Sequence, residues 1–177
     1  MGFERIGVDQ VWKGRIAEVR VERWRMEDGE EVEREVVGHP GAVGVLAHDG
    51  EFIYMVSQPR EPVGEPRLLE LPAGKLDDDS EDVLATAKRE LAEEIGKGAR
   101  TWQHLTTFWS SPGFSDEEIH VYLATDLYDE HAEADENERI EIEKVPISQL
   151  DDLIRDCRDA KTLVGLLWFK AFGGGPA

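Results

Sequence analysis

The chain has a single cysteine, Cys157, so no intrachain disulfide can form and a reducing, cytoplasmic compartment fits. No stretch approaches the roughly 18 apolar residues of a membrane-spanning helix, and none is expected. The residues after Met1 hold no apolar run, so no signal peptide is expected either. Positive charge is scarce: 20 Lys and Arg stand against 39 Asp and Glu, a formal net charge of -19. That balance excludes the basic footprint of a nucleic-acid binder and disfavours docking on anionic membrane. Arginine supplies 13 of the cations and lysine 7, a pattern suited to a salt-rich cytoplasm and equally to plain compositional bias. No G-x-G-x-x-G or Walker-type loop is present, so neither a dinucleotide fold nor a phosphate-cradling loop is supported. The five histidines show no ligand spacing, which argues against zinc.

What is there suffices for a core: 40% of the 177 residues are hydrophobic, and the length suits one domain. Residues 11–27 alternate apolar and charged positions as a strand with one solvated face does. Asp28-Gly29 turns the chain into a second strand, Glu31 to Val37. Ala42 to Leu46 and Phe52 to Val56 form another hairpin about His48-Asp49-Gly50. Residues 58–66, with three prolines, read as a loop, and Leu68 to Leu71 as a short strand. A helix follows to about Ile95, with Ser80 as its predicted N-cap and Leu84, Ala87, Leu91 and Ile95 as its apolar stripe; Gly96 and Gly98 end it. Trp102 to Trp109, Ile119 to Thr125 and Arg139 to Val145 read as strands, and an acidic loop spans 128–137. Two helices, Ser148 to Cys157 and Lys161 to Phe172, close the chain. Strands dominate without regular βαβ alternation, which predicts an α+β fold.

The central helix carries the chemistry. Glu90, Glu93 and Glu94 fall at i, i+3 and i+4 and share one face. Like charges at that spacing destabilise a helix by a few tenths of a kcal/mol, roughly, and a divalent cation reverses the penalty. Oxygen-only ligands suit Mg²⁺ or Mn²⁺, and Mg²⁺ commonly works on phosphates. A solvated acidic face with an Arg89–Glu93 pair is the plainer alternative. It gives no reason for the flanking glycines or for stacking Glu90 on Glu94.

Gly74 to Gly96 resembles the Nudix box, G-x5-E-x7-R-E-U-x-E-E-x-G-U, with Glu81, Arg89, Glu90, Leu91, Glu93, Glu94 and Gly96 on its fixed positions. Six residues rather than five separate Gly74 from Glu81, and Lys97 stands at the final aliphatic position. Three further stretches are similar to the ADP-ribose pyrophosphatase branch of that family. Pro112 lies sixteen residues beyond Gly96, in Ser111-Pro112-Gly113-Phe114-Ser115. Gln58-x-Arg60 precedes Glu70-Leu71-Pro72-Ala73-Gly74, and Asp135-Glu136-Asn137-Glu138 precedes the 139–145 strand. Asp159-Ala160-Lys161-Thr162 also looks familial, though an Asp opening the last helix explains it as well.

The resemblance implies a Nudix fold, a mixed β-sheet sandwiched by helices with an N-terminal antiparallel strand region over 1–38 and the hydrolase domain over 39–177. It implies Glu90, Glu93 and Glu94 with the Ala73 carbonyl as ligands of Mg²⁺ or Mn²⁺. Arg89 would hold the box together, Glu81 would be structural, and Glu138, with Glu136 as the alternative, would be the general base. Arg60, Glu70 and Pro112 would bind substrate. The implied reaction is hydrolysis of ADP-ribose to AMP and ribose 5-phosphate. The alternatives are a broader nucleoside-diphosphate-sugar pyrophosphatase and a non-catalytic ADP-ribose-sensing module. Exchange of N-terminal strands between subunits in that branch implies a homodimer.

Overall fold

Strand is the default of this chain wherever apolar and charged residues alternate, and a hydrogen-bonded partner strand decides where each one ends. The computed structural model describes residues 2–76, 82–130, 132 and 139–173. Its contacts divide the chain into two units, Met1–Gly41 with Phe108–Glu118, and Ala42–Thr107 with Ile119–Ala177.

The first unit is an antiparallel sheet of β1 (Phe3–Lys13), β2 (Glu18–Met26) and β3 (Glu31–Gly38), in that order. The stretch 11–27, read in the sequence as one strand, is divided between β1 and β2. The chain reverses at 14–17, where the Gly14 amide donates to the Ala17 carbonyl at 2.9 Å. Alternation continues on both sides of the reversal, so periodicity does not register it. Gly14 does mark it, because a Cβ there would lie 2.1 Å from the Trp12 ring. The pairing register shifts at two irregularities in β1, between Arg5 and Gly7 and between Gln10 and Trp12. The Asp28-Gly29 turn forms as expected, with Gly29 at φ +88 and the Asp28 carboxylate accepting the Glu30 amide at 3.0 Å. Glu22, only 3% exposed, accepts from Arg5 at 3.1 Å and from Arg20 at 2.7 Å. The 108–118 segment is tied in by the Val37 amide on the Phe114 carbonyl at 2.8 Å and the His39 amide on Asp116 at 3.0 Å.

The second unit holds β4 (Ala42–His48), β5 (Phe52–Arg60), β6 (Glu65–Glu70), β7 (Ala73–Lys75), α1 (Val83–Ile95), β8 (Lys97–Trp109) as far as Thr107, β9 (Glu118–Asp129) from Ile119, β10 (Glu141–Pro146), α2 (Leu150–Asp156) and α3 (Ala160–Phe172). The strands form one seven-stranded mixed sheet in the order β10-β5-β4-β9-β8, with β6 added to β5 and β7 to β4. The β4–β9 pair is parallel, and β4 is antiparallel to β5 and β7.

Side chains alternate across β4, and that alternation places the helices. Val43, Val45 and Ala47 pack with Ala87, Leu91 and Ile95 of α1 in one buried cluster. Fully burying a side chain such as Leu91 is worth about 1.5–3 kcal/mol. Gly44 points the other way, toward Lys161 of α3, and Gly165 of α3 packs against Leu71 and Val121. The sheet is therefore covered by α1 on one face and α3 on the other, the α+β sandwich expected from the sequence.

Three boundaries differ from the sequence reading. The proline-rich stretch 58–66 is mostly strand: β5 runs to Arg60 and β6 begins at Glu65, leaving a single 3-10 turn over Glu61–Val63. Pro59 sits at a pairing irregularity between Gln58 and Arg60, a place where the missing N–H is tolerated. The helix cap is Asp82, whose carboxylate accepts the Leu84 amide at 3.0 Å, while Ser80 lies outside the described residues. Gly96 ends α1 at φ +66 as expected, but Gly98 belongs to β8, where a Cβ would strike Tyr128 and Glu130.

Candidate active site

The buried stripe of α1 fixes the helix's rotation and so decides where its glutamates go. Glu94 is drawn inward, 7% exposed, and its Oε2 accepts the Ala73 amide at 2.9 Å. Glu90 lies against the next residue of β7: a Cβ on Gly74 would sit 1.9 Å from Glu90 Oε1. Gly74 is thus required by close approach of a carboxylate rather than by backbone angle. The Arg89 guanidinium bridges Glu90 at 2.9 Å and Glu93 at 3.0 Å. Glu90, Glu93, Glu94, Arg89 and the Ala73–Gly74 backbone therefore form one cluster at the junction of α1 and β7.

The chemistry of this donor set fits a hard divalent cation. It offers three carboxylates with backbone oxygen close by and no sulfur or imidazole. Like charges at i,i+4 repel, and a divalent cation between Glu90 and Glu94 would relieve that repulsion. The space beside Glu90 exists only because residue 74 lacks a Cβ. Among the described residues, no group of three or more acidic, histidine or cysteine side chains stands already arranged as a metal cage. Arg89 and the Ala73 amide engage the carboxylates instead.

A second charged cluster lies just upstream. Glu70 is 1% exposed, and its carboxylate takes a bidentate pair from Arg60, at 2.6 and 2.9 Å, together with the Lys161 ammonium. Burial alone would raise the Glu70 pKa, but the Arg60 hydrogen bonds and the Lys161 charge outweigh it and hold the carboxyl below its ordinary value. Lys161 also reaches Asp159 at 3.0 Å. Asp159 caps α3, accepting from the Thr162 amide at 3.0 Å and the Thr162 hydroxyl at 2.6 Å. The capping role noted for Asp159 in the sequence is thus present. What the sequence did not reveal is that Lys161 neutralises Glu70 and that the Thr162 oxygen accepts the Leu71 amide at 2.8 Å. The signal available was the Asp-Ala-Lys-Thr run itself, whose partners lie about ninety residues away in sequence. Cys157 donates to the Asp159 carbonyl at 3.3 Å, and burial raises its thiol pKa, as suits a structural thiol.

Pro112 belongs to the first unit, in a turn where the Phe114 and Ser115 amides donate to the Ser111 carbonyl at 3.1 and 2.9 Å. It borders a cleft of about 330 Å³ shared with Phe3, Trp24 and Met26. Trp24 itself packs edge-on against Phe3 at 5.3 Å. Glu81, Glu136 and Glu138 lie outside the described residues.

Comparison with known proteins places the chain in a family. The chain is 39% identical over 170 residues, 93% of its length, to the ADP-ribose pyrophosphatase of Bacillus subtilis strain 168, of which the match covers 91%. It is 46% identical over 140 residues to the ADP-ribose pyrophosphatase of Mycobacterium tuberculosis strain H37Rv, covering 75% of this chain and 67% of that one. A crystal structure of an ADP compounds hydrolase superposes with a TM-score of 0.82 at 23% identity, over 99% of this chain and 98% of that one, and so shares the fold. Residues 38–164 match the NUDIX domain, a span that takes in the whole α1–β7 cluster, and the chain belongs to the NUDIX domain family.

Proposed function

We propose that this chain is a metal-dependent hydrolase that cleaves the diphosphate of ADP-ribose to AMP and ribose 5-phosphate. The observation that carries the substrate is the likeness, over 93% of the chain, to a relative named for that activity. The observation that supports the chemistry is the α1–β7 cluster, where Glu94 meets the Ala73 amide and Glu90 packs on Gly74.

Glu90, Glu93 and Glu94, with the Ala73 carbonyl, are the residues that would hold Mg²⁺ or Mn²⁺. Bound there, the metal supplies Lewis-acid polarisation of the diphosphate and a lowered pKa for the attacking water. Arg89 holds Glu90 and Glu93 on one side of the helix. Arg60 uses its Nε and Nη2 edge on Glu70, so its Nη1 edge is the one offered to a phosphate oxygen. Glu70 then acts on substrate by fixing Arg60. Pro112 shapes the turn assigned to substrate binding. Glu138 takes the proton of the attacking water, with Glu136 the alternative.

The exposed apolar residues of the first unit support a homodimer: Val8, Val11, Trp12 and Ile16 stand in solvent, an apolar surface that a second copy would cover. Light scattering should give twice the 20.0 kDa chain mass at micromolar concentration, and a monomer would count against the dimer.

The activity is tested with a panel of ADP-ribose, ADP-glucose, GDP-mannose and a diadenosine polyphosphate, each with Mg²⁺ and with excess chelator. AMP release from ADP-ribose, abolished by chelator, is expected. Comparable turnover of all the sugars would make the enzyme a general nucleoside-diphosphate-sugar pyrophosphatase. Binding of ADP-ribose without release of product would make it a sensor. Near-normal turnover in Glu138→Gln would move the base to Glu136.

A further inference from the structure

The strand end that carries Ala73 and Gly74 is not held by the sheet alone. Two residues upstream, it is fastened to the N-terminus of α3 by three separate contacts. The Leu71 amide donates to Thr162 Oγ1 at 2.8 Å, Glu70 pairs with Lys161, and a Cβ at Gly165 would lie 2.8 Å from Leu71 Cδ1. Thr162 and Leu71 are both 0% exposed. Thr162 saturates its hydroxyl, accepting from Leu71 and donating to Asp159 at 2.6 Å. Downstream, the Pro72 carbonyl accepts the Val45 amide at 2.8 Å, and the next amide, that of Ala73, meets Glu94.

β6 ends at Glu70 and β7 begins at Ala73, so Pro72 is the one residue between Leu71 and Ala73. Holding the chain at Leu71 therefore limits where the Ala73 peptide can lie. Removing a group that orients a metal ligand without touching the metal typically costs about 10–100-fold in metal affinity.

We propose that Asp159 and Thr162 are positioning residues: the capped end of α3 sets the place of the Leu71–Gly74 backbone, and through it the register of Ala73 and Gly74 against Glu94 and Glu90. Asp159 orients the Thr162 hydroxyl, and Thr162 holds the Leu71 amide. Lys161, shared between Asp159 and Glu70, locks the two sides together. Gly165 lets the helix come close enough for all three. The inference rests on the metal-site reading of the α1–β7 cluster.

The test is Thr162→Val, which keeps the shape and removes the acceptor. Two readouts are taken on the metal-free full chain: amide hydrogen exchange at Leu71 and Ala73, and Mn²⁺ affinity by EPR titration. Faster exchange at Ala73 as well as Leu71 is expected, with Mn²⁺ affinity weakened roughly tenfold, both restored by Thr162→Ser. A lowered melting temperature with unchanged Ala73 exchange and unchanged Mn²⁺ affinity would make Thr162 merely structural and overturn the inference. Should Thr162→Val fail to fold, Asp159→Ala, which removes the oxygen that orients the Thr162 hydroxyl, carries the same two readouts with the same meaning. Glu94→Gln separates the two levels. If it binds Mn²⁺ as the wild type does, the metal-site reading falls and the inference with it. If it loses Mn²⁺ while Thr162→Val keeps it, the inference alone falls.

Discussion

Two acidic clusters lie a few residues apart in the same unit, and the fold treats them in opposite ways. Glu70 is enclosed and matched: two anions, Glu70 and Asp159, meet two cations, Arg60 and Lys161. On α1, Glu90 and Glu93 share the guanidinium of Arg89, and Glu94 takes the Ala73 amide. A buried charge must be paired or it costs several kcal/mol, roughly, and Glu70 obeys that rule. The α1 carboxylates are held differently, by Arg89 on Glu90 and Glu93 and by the Ala73 amide on Glu94, beside a glycine that leaves room for Glu90. The contrast is between a carboxylate enclosed by two cations and carboxylates gathered on one face of a helix.

The sharpest way to break that comparison is to neutralise one member of each cluster. Glu94→Gln should lower turnover at least about 100-fold. The urea midpoint should stay near that of the wild type, since the amide oxygen can still accept from Ala73. Glu70→Gln should do the reverse to the fold, costing about 3 kcal/mol in urea unfolding at neutral pH, because Arg60 and Lys161 are left facing a neutral group. If Glu94→Gln proved the destabilising one and Glu70→Gln the neutral one, the division would be wrong.

The pH dependence of stability sharpens the same contrast. The Glu70 pKa is lowered in the folded chain, with burial opposing and the Arg60 and Lys161 interactions prevailing. A carboxyl of that kind stabilises the fold fully above its unfolded pKa of about 4.3. The contribution disappears as pH falls through the lower folded value. The wild type should therefore lose stability steeply between about pH 5 and pH 2. Glu70→Gln should lose it less steeply, as read from urea midpoints over that range.

The smallest effect on turnover is expected from Gly74→Ala. The new Cβ meets the far end of Glu90, which can swing aside, so stability should change by about 1 kcal/mol or less. Turnover should still fall roughly tenfold, because Glu90 no longer lies where the ligand needs it. A variant with full activity would show that the close approach of Gly74 and Glu90 is incidental.

Much of this was legible in the sequence because it is local. The spacing of Glu90, Glu93 and Glu94 within one helix, the stripe of Ala87, Leu91 and Ile95, and the turn at Asp28-Gly29 depend on neighbours within a turn or two. The two longest misreadings were of one kind. Residues 11–27 continue their alternation through a chain reversal, and residues 58–66 look like a loop until β5 and β6 are paired. In both cases a partner strand, not local propensity, decides the outcome.

The sequence by itself determined that an acidic helix with Nudix spacing exists, and that its carboxylates call for a hard cation. It could not tell which cation each acidic residue meets, because that pairing is settled by contacts across long separations. The tertiary structure alone decided that Lys161 neutralises Glu70, that Thr162 holds the Leu71 amide, and that Gly74 makes room for Glu90. The physical reason is that a helix fixes the spacing of its own side chains, whereas the pairing of a buried charge depends on what the rest of the chain folds against it.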